Sequence, residues 1–236
     1  MLDYDDEIAA TTQLGGLHRT ERGADTLPER AIYARSASVG ATLLREGAAA
    51  LGPLILHEGW AFRYKTLPDG RRQILAYFLP GDVVGFQSAT FPTVDHGVEA
   101  LTAVRYASYS LAHLVADAGA ACGRDALTAI AHFAGAQERQ SDEHLLTLGR
   151  RSAMERVAFI ICTLFRRVRA LGLDCDGRID FPLTQQHLAD TLGLSLVHTN
   201  KTLKRLSGTE CLSWKGRILL LHDEPRLARI AGLPAG

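Results

Sequence analysis

Residues 183–206 read LTQQHLADTLGLSLVHTNKTLKRL, and this stretch predicts two short helices joined by a tight turn. Thr184 and Ser195 are each suited to the N-cap of a helix, because their hydroxyls accept backbone N–H bonds. Gly193 permits the turn between the helices. The segment therefore has the layout of a helix-turn-helix, whose second helix enters the DNA major groove by its N-terminal end.

The second helix of this pair has two different faces. Thr199, Leu203 and Leu206 recur at i, i+4 and i+7 and are expected to face the core. The opposite face suits base edges, because Asn bonds adenine, Lys reaches guanine acceptors or phosphate, and Val touches a thymine methyl. The expected DNA-contacting residues come from both helices and from the basic residues that follow: Thr184, Gln185, Ser195, Val197, His198, Asn200, Lys201, Lys204, Arg205, Lys215 and Arg217.

A β-hairpin is predicted directly after the helix pair. CLSWKGRILLLHD (211–223) places two apolar runs on either side of Lys215 and Gly216. A hairpin after a recognition helix is a wing, where Lys215 and Arg217 can meet phosphate. Trp214 is expected to pack against the protein rather than stack on a base.

The helix pair is expected to rest on an earlier helix. Ser152 with Glu155 three residues later is a capping-box pattern, and Gly172 ends the helix that it starts. Residues 177–182 are expected to be a connector. The core-facing stripe of the helix that begins after Ser152 consists of Val157, Ile160, Ile161, Leu164, Phe165 and Val168.

The N-terminal half has the pattern of a β-protein. GWAFRYKTL (59–67) and RRQILAYFL (71–79) flank the turn signal Pro-Asp-Gly and are expected to pair as a hairpin. VVGF (83–86) and VEALTAVRYASYS (98–110) add further strands. Many short strands at near-regular spacing predict a sandwich or barrel.

A long helix is expected between the two halves, because residues 122–149 lack proline and are rich in helix formers. A helix of this length needs a partner along its side, and the simplest partner is a second copy of the chain. A heptad seam along it predicts the homodimer interface: Leu127, Ile130, Ala134, Gln137, Ser141, His144 and Leu148.

The charge distribution separates the two halves. The 236-residue chain has 26 basic and 26 acidic residues, but residues 1–149 carry 12 and 18 and residues 150–236 carry 14 and 8. The net charges are therefore −6 and +6, which fits a C-terminal module that meets a polyanion. The acidic N-terminus, the absence of a long apolar run and four widely spaced cysteines predict a cytoplasmic protein without a membrane span or a disulfide framework.

These motifs resemble the cAMP-receptor-protein/Fnr (Crp/Fnr) superfamily of bacterial transcription regulators. The likeness covers residues 30–232 and rests on DGRRQILAYFLPGDVVGF (69–86), the helix at 122–149 and the winged helix-turn-helix. It implies an α+β fold with a cupin-like β-roll, a long dimerisation helix and a C-terminal DNA-binding domain. The expected divisions are an N-terminal arm (1–30), a cyclic-nucleotide-binding-like roll (31–117), the dimerisation helix (118–150) and the DNA-binding domain (151–236).

The sequence departs from the sensor signatures of this superfamily. Nucleotide-binding members carry a Gly-Glu pair for the ribose and a later Arg-Ser/Thr-Ala for the phosphate, where this chain has Gly-Phe-Gln (85–87) and His-Gly-Val (96–98). We therefore expect no cAMP or cGMP binding and predict no metal site or cofactor. No cysteine precedes Cys122, which excludes the cysteine-bound iron–sulfur sensor. The alternative of a haem ligand rests on single histidines: His57, His96 or His113.

The recognition helix departs from the family pattern as well. Val197 replaces a Glu and Lys201 replaces an Arg, so that a cytosine-accepting carboxylate is missing. The resemblance therefore implies a palindromic operator that differs from the familiar TGTGA and TTGAT half-sites, with RNA polymerase as an expected partner.

Three other interpretations remain open at this level. In the first, the chain is an effector-sensing module whose helix-turn-helix contacts protein. In the second, the roll is a metal enzyme; we do not expect an enzyme, because the chain has no His-x-His cluster. In the third, oxidation of Cys175 or Cys211 weakens DNA binding by adding negative charge.

Overall fold

The computed structural model describes residues 31–50, 52–122 and 126–233. Contacts divide these residues into two compact units, one made of residues 31–65 and 75–139 and the other of residues 66–74 and 140–233. The predicted N-terminal arm (1–30) lies outside the described residues.

Two four-stranded sheets form the N-terminal β-roll. Its strands are β1 (Tyr33–Ala37), β2 (Thr42–Leu44), β3 (Leu54–Glu58), β4 (Ala61–Thr66), β5 (Arg72–Phe78), β6 (Val83–Val84), β7 (Gly97–Ala100) and β8 (Val104–Ser108). The strand orders are β1-β8-β3-β6 and β2-β7-β4-β5. The predicted sandwich and its β4–β5 hairpin are therefore confirmed.

The core of the roll follows from the alternation of side chains along its strands. Leu54 and Leu56 of β3, Ala61 of β4 and Val98 of β7 belong to one buried cluster with Tyr106 of β8. Every second residue of a strand faces the same side, so each sheet contributes an apolar face to this shared interior.

Three helices follow the roll: α1 (Leu111–Cys122), α2 (Ala126–Arg150) and α3 (Ala153–Ala170). The long helix predicted at 122–149 thus begins at Ala126, and a separate helix precedes it. The sequence 111–122 is rich in alanine and lacks proline, which favours helix on both sides of the expected boundary. Phe133 on α2 packs with Ile55 and Leu114 in a second core cluster.

The C-terminal unit adds β9 (Arg178–Asp180), α4 (Gln185–Leu192), α5 (Leu196–Ser207), β10 (Leu212–Lys215), β11 (Ile218–Leu221) and α6 (Glu224–Ala231). The strand order β10-β11-β9 corrects the expectation that 177–182 is only a connector. Three residues are too few for an alternating pattern to be recognised in the sequence. Ile179, the one apolar side chain of β9, is buried opposite Leu219.

The capping box at Ser152 and Glu155 is present, and the whole predicted stripe of α3 is buried. Glu224 at the start of α6 accepts a 2.8 Å bond from Arg166 of α3, which ties these two helices together. Among the described helices, none combines the length and the apolar composition that crossing a membrane requires.

The turn between β3 and β4 depends on a glycine. Gly59 has φ +81°, and a Cβ there would lie 2.1 Å from the carbonyl oxygen of Ala103. Gly70, in the β4–β5 turn, has a similar φ of +87° but open space around it. Comparing the two positions therefore separates the cost of a side chain at positive φ from the cost of a steric clash.

We predict that Gly59→Ala lowers the free energy of unfolding by about 3 kcal/mol, whereas Gly70→Ala costs about 1 kcal/mol. The measurement is urea unfolding monitored at Trp60, in a Trp214→Phe background shared by all proteins. Equal losses of unfolding free energy in the two variants would show that the carbonyl of Ala103 moves aside without a measurable cost.

Candidate nucleic-acid interface

The helix-turn-helix is set by three local features of its sequence. The Thr184 hydroxyl accepts a 3.2 Å bond from the His187 amide, and the Ser195 hydroxyl accepts one of the same length from the His198 amide. Gly193 ends α4 in the left-handed conformation at φ 62°. Both predicted caps and the predicted turn are therefore confirmed.

The inner face of α5 is anchored as predicted. Thr199 and Leu206 are fully buried, and Leu203 is 7% exposed. The Thr199 hydroxyl donates to the Ser195 carbonyl at 3.1 Å, which satisfies a polar group in the core. Thr202 is also buried and donates to the carbonyl of His198, a contact that the heptad-type spacing did not indicate.

The outer face of α5 is open to solvent. Val197 is 65% exposed, and His198, Lys201, Lys204 and Arg205 are exposed as well. The cationic side chains among them therefore stand free to meet a polyanion.

Asn200 differs from its neighbours on α5. It is half-buried, and its Oδ1 atom is buried without a hydrogen-bond partner among the described residues. Its amide therefore has to turn outward before it can bond an adenine edge.

The wing consists of β10 and β11, as predicted. Lys215 is exposed near its tip, and Trp214 packs edge-on against Phe181 with ring centroids 5.2 Å apart. The Trp214 indole also donates to the Gly216 carbonyl at 3.0 Å. Trp214 is thus a packing residue, as expected.

Arg217 is exposed but already has a carboxylate partner. Its Nη2 and Nε atoms donate to Asp180 at 2.9 and 3.2 Å, and these bonds raise the pKa of Arg217. A phosphate would have to displace Asp180 to bond this guanidinium. Sequence reasoning missed the pair because Asp180 lies on the unpredicted strand β9.

Thr184 and Gln185 are exposed at the start of α4, where the first turn contains an unusual capping residue. Nδ1 of His187 accepts a 3.0 Å bond from the Thr184 amide, so histidine takes the place usually held by Glu or Gln in a capping box. Burial lowers the pKa of His187; the charge of Arg72 lowers it further and that of Asp190 opposes this.

The predicted seam of α2 lies beside the face that packs on the roll core, where Phe133 and Ala136 are buried. Leu127 is 75% exposed. The other members are exposed or half-buried in a single chain: Ile130, Ala134, Gln137, Ser141, His144 and Leu148.

Two positions of the nucleotide signature, Phe86 and Gly97, have surroundings that do not suit the residues of that signature. Phe86 packs against Phe133, with ring centroids 4.5 Å apart. A Cβ at Gly97 would lie 2.4 Å from the Tyr64 ring, so a serine or threonine is excluded there unless that ring moves.

The other sensor candidates are placed as follows. Nε2 of His57 lies 3.1 Å from the Tyr109 hydroxyl, and His113 is exposed. Cys175 is exposed, whereas Cys211 is buried. No group of three or more potential metal ligands occurs within the described part of the chain.

Comparison with known proteins matches both halves of the chain. The family described as cyclic nucleotide-binding domain matches residues 34–116, and the family described as Crp-like helix-turn-helix domain matches residues 155–230.

Individual relatives extend these matches. The nitrogen fixation regulation protein FixK of Azorhizobium caulinodans is 34% identical over 171 residues, which are 70% of this chain and 66% of that protein. The FixK of Bradyrhizobium diazoefficiens is 31% identical over 75% of this chain and 72% of its own length. The structure of FixK2 from Bradyrhizobium japonicum is similar with a TM-score of 0.71 and 29% identity, over 86% of this chain and 98% of that one.

We predict that His187 makes the helix-turn-helix less stable in acid. The pKa of His187 is lowered in the folded state. Its full contribution to the free energy of unfolding is therefore present above the ordinary imidazole pKa of 6.5 and declines as the pH falls below that value. His187→Gln keeps an acceptor for the Thr184 amide without titrating. Thermal midpoints of both proteins should coincide at about pH 8 and differ by a few degrees at about pH 5, in favour of the variant. Parallel curves across that range would contradict this role.

Proposed function

Since the chain belongs to the Crp/Fnr family of transcription regulators, we propose that it acts as a homodimer on a palindromic DNA operator, reading bases with α5. One observation carries this proposal. The inner face of α5 is buried on Thr199, Leu203 and Leu206, while its opposite face presents Val197 and Lys201 to solvent. A helix fixed in this way offers a rigid set of side chains to the major groove.

Affinity and specificity are assigned to different residues. Lys204, Arg205 and Lys215 would contact phosphates, which give most of the affinity without reading the sequence. Arg217 would join them only after leaving Asp180. Val197, His198, Asn200 and Lys201 would read base edges, and the missing carboxylate points to an operator unlike TGTGA or TTGAT.

Dimerisation would pair the seam of α2 with its copy. The seam leaves Leu127 and other apolar side chains uncovered in one chain, and a two-fold pairing would bury them. The two recognition helices would then read the two halves of a palindrome. A signal that biases the α2 pair would alter their spacing, and bound dimers would meet RNA polymerase.

Regulation by cAMP or cGMP is not part of this proposal. The ribose position holds Phe86 packed on Phe133, and Gly97 beneath Tyr64 cannot supply a phosphate-binding hydroxyl. The roll would act as a spacer or as a sensor of another ligand.

The deciding experiment is selection of bound sites from a random DNA duplex pool by the purified chain, without added ligand, at near-physiological salt. Enrichment of a two-fold palindrome is expected. Retention without a consensus would refute specific binding by the unliganded protein, and no retention at low salt would favour a protein-contacting C-terminal domain.

We predict that Lys201→Ala changes which sites are enriched, while Lys215→Ala weakens binding to all sites and lowers the salt slope by about 1. Both side chains are exposed lysines, so each variant is the matched control of the other. Binding of a small panel of duplexes over a salt series measures both effects. Equal, sequence-independent losses for the two variants would falsify the assignment.

We predict that Ile130→Asp converts the dimer to monomer and reduces operator affinity by at least about tenfold, because it places a charge in the apolar N-terminal part of the seam. Ala131→Asp is the matched control, since residue 131 is exposed on the same helix but lies off the seam. Light scattering after size exclusion gives the mass of each variant. A dimer that survives Ile130→Asp but not Ala131→Asp would place the interface on another face.

A further inference from the structure

Two residues, Arg151 and Ser152, form the junction between the long helix α2 and the helix α3 on which the helix-turn-helix rests. A junction this short leaves the angle between the helices to a few soft backbone dihedrals. Residues 140–150 of α2 belong to the same compact unit as α3 and the helix-turn-helix. The contacts at the junction therefore decide how the end of α2 is held within this unit.

The Arg151 side chain contacts three helices at the junction. Its Nη1 atom donates to the Thr147 hydroxyl of α2 at 2.7 Å, and both Nη atoms lie 3.2 Å from the Glu143 carboxylate of the same helix. Its Nε atom donates to the Ala231 carbonyl at the end of α6 at 3.1 Å. Its guanidinium carbon lies 4.3 Å from the centre of the Phe159 ring on α3.

This set of contacts requires an arginine. A planar guanidinium bonds a carboxylate and a carbonyl along its edge while its face lies on an aromatic ring, and a lysine ammonium does not have this geometry. The Arg151 side chain is only 12% exposed, so these partners rather than water stabilise its charge. Because the partners lie on α2, α3 and α6, Arg151 fixes the angle at the junction.

A second arginine extends these contacts to the helix-turn-helix. Nε of Arg156 on α3 donates to the Arg151 carbonyl at 2.8 Å, and its Nη1 donates to the Leu192 carbonyl at 3.2 Å. Leu192 is the last residue of α4, and the turn at Gly193 leads from it into α5. One guanidinium therefore joins the backbone of the junction to the end of the helix that precedes the recognition helix.

We propose that Arg151 is a positioning residue for operator binding, which sets the spacing between the two half-sites. The inference rests on the proposed function, in which α2 pairs with its copy and α5 reads DNA. The two junctions then lie between the paired α2 helices and the two recognition helices, so the junction angle determines how far apart the recognition helices are. Successive base pairs are about 3.4 Å apart along the duplex, and a change of this size in the separation favours a different half-site spacing.

The experiment is the selection from a random duplex pool, analysed separately for half-site sequence and for half-site spacing. The unchanged chain should enrich one half-site sequence at one spacing. Arg151→Met should enrich the same half-site sequence at two or more spacings and bind the original operator about tenfold more weakly. Arg150→Met is the matched control, because it removes the same charge from an exposed neighbour and should keep the single spacing.

Glu143→Gln tests the same contact from α2. It removes the carboxylate that Arg151 bonds, so it should also broaden the spacing, and Arg151→Met should add little in the double variant. A single, unchanged spacing with Arg151→Met would overturn the proposal, as would loss of the half-site sequence itself, which would indicate a general structural role. If Arg151→Met does not fold, an unchanged spacing with Glu143→Gln would overturn it.

A measurement without DNA separates this inference from operator binding. Spin labels on Cys175 of the two chains, in a Cys122→Ser background, report the distance between the C-terminal units of the dimer by pulsed electron paramagnetic resonance, since Cys175 is exposed while Cys162 and Cys211 are buried. Arg151→Met should broaden the distance distribution, and Arg150→Met should not. Equal widths would refute the inference even where a palindrome is enriched. A broader distribution without any enriched palindrome would support the role of Arg151 at the junction and refute operator binding.

Discussion

The burial of one face of α5 is the constraint on which the rest of the C-terminal unit depends. Thr199, Leu203 and Leu206 fix the rotation of this helix about its own axis, and Ser195 fixes where it begins. A rotation of one residue, about 100°, would bury Lys201 and expose Leu203. A defined polar face of α5 is therefore held outward by the capping hydroxyls, by the left-handed Gly193 and by helix α3 beneath.

Local chemistry explains why so much of this unit was predictable from the sequence. Caps, the turn glycine and the i, i+4, i+7 pattern act within a few residues, so Thr184, Gly193 and Ser195 took the conformations that their residue types favour. The β4–β5 hairpin followed from its Pro-Asp-Gly turn in the same way. Long-range pairings were not accessible, because nothing near Asp180 in the chain indicates that it meets Arg217.

The same distinction explains the errors and omissions. Strand β9 has one buried side chain, too few to produce an alternating pattern, and it exists because β11 offers it a free edge. The capping role of His187 has no signal in the sequence, because Glu or Gln usually holds this position, yet its ring completes the capping box. Arg63 is one polar residue of the strand sequence GWAFRYKTL, and only its register opposite Val98 places it on the core side of the sheet.

The two units differ in where they place their basic side chains. The C-terminal unit exposes its cations on α5 and the wing, where solvent screens them until a polyanion replaces the counterions. The roll belongs to the acidic half of the chain and keeps Nε of Arg63 and Nε2 of His96 buried without a hydrogen-bond partner among the described residues. An unpaired buried polar atom costs free energy, so the roll keeps these two side chains against its own stability, whereas the exposed cations of the C-terminal unit cost that unit little.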